Sequence, residues 1–331
     1  MIYMPIPLLR RSLTLALTVC FFFANGQHEW PSDQLKDATA QPENFSADRL
    51  KRIDANMQSW VAEGRMNGGV ALIVHRGKVV YQKGFGYDDP EKKIPIRPDH
   101  IYRIASQTKA ITSVAVMMLY EEGKFLLDDP ISRYIPEFAK PTVLDKFNEA
   151  DSSYTTVPAK SEITIRQLLT HTSGLGYAVI GSKESNAIYA KAGLTAGIGS
   201  PIGKLLATDM KKLGKLPLLH QPGEKFTYGL NTDVLGYLVE VVSGLSLDAF
   251  FRERIFEPLG MKDTYFNVPP AKQQRVVRIY EGKDNKMVPA DKEIHYNGGI
   301  FIQDYPKMAN TYFSGGAGLS STAYDLSLIH I

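Results

Sequence analysis

Residues 104–111, Ile-Ala-Ser-Gln-Thr-Lys-Ala-Ile, mark the point where a strand-like run gives way to a long amphipathic helix. Gly123, a residue type that commonly ends helices, follows at a suitable distance. Before Gly123, apolar residues recur with the i, i+3, i+4 spacing of one buried helix face. They are Ile111, Val114, Ala115, Met118 and Leu119.

Ser106 and Lys109 are the candidate reactive pair on this helix. They are three residues apart and therefore share a helix face. Ser106 lies in the first turn, where backbone N–H groups are unpaired and the local potential is positive. A serine hydroxyl becomes a good nucleophile when a base takes its proton, and a neutral lysine can be that base. The competing interpretation is a helix N-terminal serine with a solvated lysine one turn later, because Ser-x-x-Lys alone is a weak signal.

The segment before the nucleophile predicts a helix followed by an antiparallel hairpin. Ser46 is a candidate N-cap and Gly64 a candidate end for the helix. The runs 69–75 and 78–82 are strand-like, and Arg76-Gly77 joins them as a tight turn. The apolar face of the helix consists of Leu50, Ile53, Met57 and Val61.

The segment after the nucleophile is predicted to be mostly helical. Thr164 can cap a helix over 165–169, which then ends in a turn at 171–174. Residues 176–216 show no clear period, and we expect a surface excursion there. Two further helices are predicted, one over 233–242 ended by Gly244 and one capped by Ser246.

The bulk composition argues against nucleic-acid binding. The chain has 331 residues, 44% of them hydrophobic, which is enough for a sizeable core. Its formal net charge is +3, and no basic stripe accompanies it. The seven histidines show no metal-ligand spacing, so the sequence predicts no metal and no cofactor.

The N-terminus is typical of a secretory signal. Arg10 and Arg11 precede an apolar run over 13–24, which is shorter than the roughly 20 residues that span a bilayer. We therefore predict a cleaved signal peptide over 1–26, a polar tail over 27–45, no stable membrane span, and a periplasmic or secreted protein. Cys20, the single cysteine, would be lost with the signal, which excludes disulfides and thiol catalysis.

Several further stretches carry a resemblance to a known family. In chain order, the sequence resembles the serine beta-lactamase-related hydrolases, which include class C beta-lactamases, D-alanyl-D-alanine carboxypeptidases and related esterases. The resemblance runs over roughly residues 46–325 and is carried by 104–113 (IASQTKAITS), 122–130 (EGKFLLDDP), 163–175 (ITIRQLLTHTSGL), 221–228 (QPGEKFTY), 235–244 (LGYLVEVVSG) and 255–261 (IFEPLGM).

This resemblance implies a role for three side chains. Ser106 would be the acylated nucleophile, Lys109 its base, and Tyr228 the tyrosine that protonates the leaving group or activates water. The backbone N–H of Ser106 would supply half of an oxyanion hole. The alternative interpretation is that Tyr228 is a buried aromatic residue whose hydroxyl has a hydrogen-bond partner and takes no part in catalysis. His171, in the turn signature, is interpreted as structural.

The sequence departs from the family pattern in two places. The second motif is usually Tyr-x-Asn, whereas here Asn231 stands one place later, which resembles the esterase-like branch and leaves Asn231 without an assigned role. The third motif, a short Lys/His-x-Gly run, should follow the Gly-rich segment 314–325. Residues 326–331 do not resemble its continuation, so we expect an incomplete domain over 46–325 and a non-family tail.

Together these observations predict an α/β fold of the serine beta-lactamase and transpeptidase kind. An antiparallel sheet would be flanked by helices and joined to a mostly helical region, with the C-terminal strands missing. The predicted activity is hydrolysis of an ester or amide, or of a peptidoglycan-like substrate, through an acyl-enzyme on Ser106. A D-alanyl-D-alanine carboxypeptidase or beta-lactamase is the alternative enzyme, and a non-catalytic relative or inactive fragment is the alternative class.

Overall fold

The structure, a computed structural model, describes residues 45–330 except 195, 196, 198, 200, 201, 285, 297 and 298. The predicted signal peptide over 1–26 and the predicted tail up to residue 44 lie outside the described residues.

Most of the described α-helices follow one another in the middle of the chain, between two segments rich in strands. The α-helices are α1 (Ala47–Ala62), α2 (Thr108–Glu121), α3 (Ile165–Leu169), α4 (Lys183–Lys191), α5 (Leu206–Leu213), α6 (Asn231–Ser243), α7 (Leu247–Phe251), α8 (Glu257–Leu259) and α9 (Ala323–His330). A π-helical turn, Arg252–Phe256, joins α7 to α8. Short 3-10 segments lie at Ala105–Gln107, Ile131–Arg133, Pro136–Phe138, Pro270–Arg275 and Tyr305–Lys307.

The described strands form small antiparallel sheets. They are β1 (Gly68–His75), β2 (Lys78–Asp89), β3 (Ile94–Pro95), β4 (Tyr102–Arg103), β5 (Thr142–Phe147), β6 (Tyr154–Pro158), β7 (Tyr280–Lys283), β8 (Lys286–Pro289), β9 (Glu293–Tyr296), β10 (Gly299–Ile302) and β11 (Ser320–Ser321). The order in the largest sheet is β1-β2-β3, and the others pair β4 with β11, β5 with β6, β7 with β8 and β9 with β10.

The sheet of β1 and β2 is the predicted hairpin. Arg76 and Gly77 both have positive φ, 48° and 73°, as the tight turn between twisted strands requires. Helix α1 packs on β2 and helix α9 packs on β1. The prediction of an antiparallel sheet flanked by helices within an α/β fold is therefore confirmed.

The helix boundaries follow the predicted capping signals. The Ser46 side chain accepts a hydrogen bond from the Arg49 N–H at the start of α1. Thr164 and Gln167 form a reciprocal capping box at α3. Gly244 adopts the left-handed conformation that ends α6.

The buried face of α2 is partly different from the predicted one. Ile111, Ala115 and Leu119 are buried as predicted. Val114 is 38% exposed, and Thr108, Thr112 and Val116 are buried instead. The reason is that α2 packs on α6 and contacts α7, which widens its buried arc toward the threonines and away from Val114.

The prediction of a surface excursion over 176–216 is wrong for much of its length. This segment contains α4 and α5, and its side chains Tyr189, Met210 and Leu213 are essentially fully buried. The core positions show no clear period along the sequence, because each of the two helices has fewer than ten residues.

The predicted boundary at residue 325 falls inside α9, which continues to His330 and buries Leu328.

Across the part of the chain that the structure describes, no single helix is long and apolar enough to span a membrane. By length and composition alone, α6 and Leu247–Leu259 would be sufficient only as a pair, and this pair is bent by 81°.

Strand β11 fixes the segment that faces the nucleophile. It pairs with β4 so that Ser320 lies opposite Arg103 and Ser321 opposite Tyr102. The Ile104 N–H also donates to the Leu319 carbonyl over 3.0 Å. The Gly-rich segment just before β11 is thereby held beside the start of α2.

Candidate active site

Ser106 lies at a strained backbone turn. It is the middle residue of the 3-10 turn that runs directly into α2. The preceding residue, Ala105, has a φ of 44°, in the left-handed region that non-glycine residues rarely adopt. Such strain persists only where the surroundings enforce it, and it is concentrated at functional sites. Here the turn leaves the Ser106 side chain exposed at the surface.

The structure brings Ser106, Lys109 and Tyr228 together. The Ser106 Oγ lies 2.7 Å from the Tyr228 hydroxyl oxygen. Lys109 Nζ donates to the Ser106 Oγ over 3.3 Å. Tyr228, 122 residues further along the chain, comes from the loop immediately before α6. The three residues predicted as catalytic therefore form one contiguous cluster.

Lys109 has two further hydrogen-bond acceptors. Its Nζ donates to the Tyr177 hydroxyl over 3.1 Å and to the Gly316 carbonyl over 2.8 Å. With Ser106, this makes three acceptors for one amino group. An ammonium group has three N–H donors, so this arrangement uses every donor of the protonated form.

The phenol of Tyr228 is set up to ionise more readily than an ordinary tyrosine. Partial burial raises its pKa, but the nearby polar groups of Lys109 and Ser106 and the Lys109 charge outweigh the burial and lower the pKa overall. Lys109 Nζ also lies 4.7 Å from the centroid of the Tyr228 ring. By contrast, burial raises the pKa of Tyr177, so that its hydroxyl stays protonated.

His171 supports one face of Tyr228. The two rings stack with centroids 5.1 Å apart. Burial and the nearby Lys109 charge lower the His171 pKa to about 4, so the imidazole is neutral at pH 7. Its Nδ1 accepts a hydrogen bond from Asn231 Nδ2 over 3.0 Å. The Asn231 Oδ1 in turn accepts from the buried Ser173 Oγ over 2.5 Å.

Two groups at the site were not singled out from the sequence. Tyr177 stands two residues past the end of the 163–175 signature, and its place in that same loop was the signal that could have identified it. The Gly316 carbonyl is a backbone group in the Gly-rich segment, and no side-chain motif marks it. Asn231, to which the sequence assigned no role, holds His171 rather than facing Ser106.

A cavity of about 470 Å³ lies beside the turn that carries Ser106. It runs between β1, the 321–330 segment and the start of α2, where Ile104 and Gln107 line it. Ser106 itself is not part of its lining. Within the described residues no group of three or more His, Cys, Asp or Glu side chains could hold a metal ion.

Comparison with known proteins places this geometry in context. The family model described as Beta-lactamase matches residues 53–329. Protein Rv1367c of Mycobacterium tuberculosis is 35% identical over 263 residues, which cover 79% of this chain and 61% of that protein. Esterase EstB of Burkholderia gladioli is 32% identical over 299 residues, 87% of this chain and 72% of EstB. The chain thus spans less than two thirds of the length of Rv1367c.

A solved structure gives the same picture. EstCE1, described as a hydrolase with promiscuous acyltransferase activity, superimposes with a TM-score of 0.71 at 30% sequence identity. The match covers 85% of this chain and 71% of EstCE1.

Proposed function

This chain belongs to the beta-lactamase family, and from that premise we propose that it is a serine hydrolase that cleaves esters through an acyl-enzyme on Ser106. One observation carries the proposal. The exposed Ser106 Oγ, at the N-terminal end of α2, lies 2.7 Å from a tyrosine hydroxyl whose pKa is lowered. A hydroxyl placed against a group that readily accepts its proton is the basic arrangement of nucleophilic catalysis.

In the proposed reaction Tyr228 moves the protons. The phenolate of Tyr228 takes the Ser106 proton as Oγ attacks the ester carbonyl, and the resulting phenol protonates the departing alkoxide. In the second half a water molecule gives its proton to Tyr228 and attacks the acyl carbon. Tyr228 then returns a proton to the Ser106 Oγ as the acid leaves. The Ser106 backbone N–H, at the start of the helix, would stabilise the oxyanion.

The role that we propose for Lys109 differs from the sequence-based prediction, in which Lys109 is the base that deprotonates Ser106. A neutral Lys109 would donate to only two of these groups and would have to accept from the Ser106 or Tyr177 hydroxyl, whereas an ammonium group donates to all three, which is the direction of the three contacts in the structure. We therefore propose that Lys109 acts as an ammonium group. In that form it orients Ser106 and stabilises the Tyr228 phenolate by charge.

An ester is the proposed substrate class rather than a beta-lactam or a peptide. The motif Tyr228-Gly-Leu-Asn231 differs from the Tyr-x-Asn spacing, and Asn231 is buried and bonded to His171. An amide side chain reaching the substrate is therefore not supplied by this motif. The relative EstB is named an esterase, and EstCE1 a hydrolase with acyltransferase activity, which supports the same choice.

The test is turnover of p-nitrophenyl acetate and butyrate by the purified chain. We expect release of p-nitrophenol, an acyl adduct on Ser106 detectable by mass spectrometry, and loss of both in Ser106→Ala. Ser113→Ala, a serine further along the same helix, is the matched control and should retain activity. Nitrocefin and a fluorescent penicillin complete the assay.

The outcomes separate the alternatives. Covalent labelling by penicillin without ester turnover would support a carboxypeptidase or beta-lactamase instead. A folded chain that neither turns over esters nor labels would overturn the enzyme proposal and favour a non-catalytic relative.

A further inference from the structure

Asp233 is a buried carboxylate that the proposed reaction does not use. It lies in the first turn of α6, five residues after Tyr228, and is 0% exposed. Its Oδ1 accepts a hydrogen bond from the Ser314 Oγ over 2.6 Å. Its Oδ2 is buried against the backbone of Gly316 and makes no hydrogen bond of standard geometry among the described residues. A buried polar atom left in this way calls for an explanation.

The carboxylate lies against the turn that contacts Lys109. The Ser314 Oγ that donates to Asp233 also accepts a hydrogen bond from the Ala317 N–H over 3.0 Å, which closes the turn 314–317. Within that turn the Gly316 carbonyl accepts from Lys109 Nζ over 2.8 Å. Asp233 therefore reaches Lys109 through one side chain and one backbone turn.

The fit between these groups is tight. A Cβ atom added to Gly316 would lie 2.4 Å from Asp233 Oδ2 and 3.4 Å from the Tyr177 hydroxyl oxygen. On the other side of the turn, the Thr112 Oγ1 of α2 donates to the Gly315 carbonyl over 2.7 Å. The 314–317 turn therefore packs between the Asp233 carboxylate on α6 and the helix α2 that carries Lys109. Through the backbone of this turn, the position of Asp233 affects the position of Lys109.

We propose that Asp233 is a positioning residue that holds the 314–317 turn on Lys109, and so holds the Lys109 ammonium against Ser106 and Tyr228. The inference rests on the proposed function, because it assigns Asp233 to the same acyl transfer. The negative charge of Asp233 also attracts the Lys109 ammonium across the turn. A purely structural residue at this place would not need a charge, since burying one is costly.

The charged and titratable groups around Asp233 set its pH response. Burial raises its pKa to about 6, while the Ser314 hydrogen bond and the Lys109 charge on α2 oppose that rise. The Asp233 charge also raises the pKa of the Tyr177 and Tyr312 hydroxyls, and the charge of Asp209 on α5 contributes to the rise at Tyr312. Protonation near pH 6 would remove the charge that attracts Lys109.

The test compares Asp233→Asn with Asp325→Asn. Asp325 is a matched control because it is also buried, and burial likewise raises its pKa to about 6, but it bonds to Thr264 rather than to the site. For Asp233→Asn we expect kcat for p-nitrophenyl acetate to fall at pH 7.5 by on the order of tenfold. We expect KM to stay within about twofold, because substrate contacts are not removed. Asp325→Asn should keep the wild-type kcat.

Stability and pH give readouts that a merely structural role would not produce. Replacing the buried charge with a neutral isostere should leave the Tm of Asp233→Asn at pH 7.5 equal to or above that of the wild type, although kcat falls. The acid limb of the wild-type profile near pH 6 should disappear in Asp233→Asn. Ser314→Ala, which removes the connecting hydroxyl, should lower kcat in the same direction.

An Asp233→Asn variant with wild-type kcat and an unchanged pH profile would overturn the proposal. So would a loss of kcat that merely follows a loss of folded protein. If the wild-type chain hydrolyses no ester, the proposed function fails, and crystal structures of the wild type and Asp233→Asn decide the positioning role separately. A Gly316 carbonyl more than 3.5 Å from Lys109 Nζ in the variant alone supports it, and an unchanged contact contradicts it.

Discussion

The imidazole ring of His171 stacks on the phenol ring of Tyr228, with their planes inclined by only 22°. His171 holds a φ of 55°, so its backbone is kept in an unfavourable conformation while its ring supports the tyrosine. The two residues come from different sequence signatures, 57 positions apart. This contact, with the Asn231 hydrogen bond behind it, fixes where the Tyr228 hydroxyl meets Ser106.

Replacing His171 should therefore show how much the stacked ring contributes to the reaction. We expect His171→Ala to lower kcat for p-nitrophenyl acetate by on the order of tenfold, because Tyr228 loses its support. His171→Phe keeps a flat ring and should retain more activity than the alanine variant. His100→Ala, which removes a buried histidine outside the site, should leave kcat unchanged. Equal activities for His171→Ala and His171→Phe would show that stacking is unimportant.

The two tyrosines at Lys109 should differ in their effects. Tyr228→Phe removes the hydroxyl that meets the Ser106 Oγ, and the loss of a proton-transfer group lowers rates by roughly 10²–10⁴-fold. Tyr177→Phe removes a protonated hydroxyl that accepts from Lys109 and helps to lower the Tyr228 pKa but takes no proton from Ser106, so kcat should fall by much less. Stopped-flow acylation rates measure both. An equal loss in the two variants would contradict the role assigned to Tyr228.

Lys109→Arg distinguishes an ammonium from a base. Arginine keeps a positive charge and several N–H donors but cannot give up its proton at accessible pH. If Lys109 acts as an ammonium, Lys109→Arg should be at least about tenfold more active than Lys109→Met, which matches lysine in length without charge. Indistinguishable rates for the two variants would instead favour the sequence-based assignment of Lys109 as the base.

Gly316→Ala should damage both the fold and the site. The new methyl group would lie 2.4 Å from Asp233 Oδ2, and overpacking of this kind costs about 1–3 kcal/mol. Gly282→Ala in β7 is the control, since its Cβ would meet nothing within 4 Å. Urea unfolding and kcat, measured on both, give the comparison. A Gly316→Ala variant as stable and as active as Gly282→Ala would exclude the tight contact.

His171 should also make stability depend on pH. Burial and Lys109 lower its pKa from 6.5 to about 4, so between these values the unfolded chain binds a proton that the folded chain does not. Its contribution to stability is therefore present above pH 6.5 and is lost as the pH falls toward 4. We expect the urea midpoint of the wild type to drop more steeply over this range than that of His171→Phe. Parallel curves would show that His171 does not titrate in this way.

The local elements could be predicted from the sequence because their signals are local. The caps at Ser46 and Thr164, the Arg76-Gly77 turn and the Gly244 helix end depend on neighbouring residues alone. The resemblance to the family likewise identified Ser106, Lys109 and Tyr228, which the structure brings together. Their catalytic roles, the secretory leader and the missing third motif stay predictions.

The supporting groups could not be predicted because they depend on long-range packing. Val114 fits a helical stripe, yet the partner helix α6 selects Thr108 and Thr112 for the buried side. The short helices α4 and α5 bury residues in a part of the sequence that shows no clear helical period. The role of Gly316 is carried by its backbone carbonyl, which composition and spacing do not report.

The contact between Lys109 and the Gly316 carbonyl also bears on how the molecule is made. These residues are 207 positions apart, so on the ribosome the helix with the nucleophile is finished long before its partner turn emerges. Ordering such distant segments requires closing a long loop, which slows folding. We therefore expect the nascent chain to be unreactive at Ser106 until the 314–317 turn has been synthesised. Reactivity would then arise only when this turn docks on Lys109.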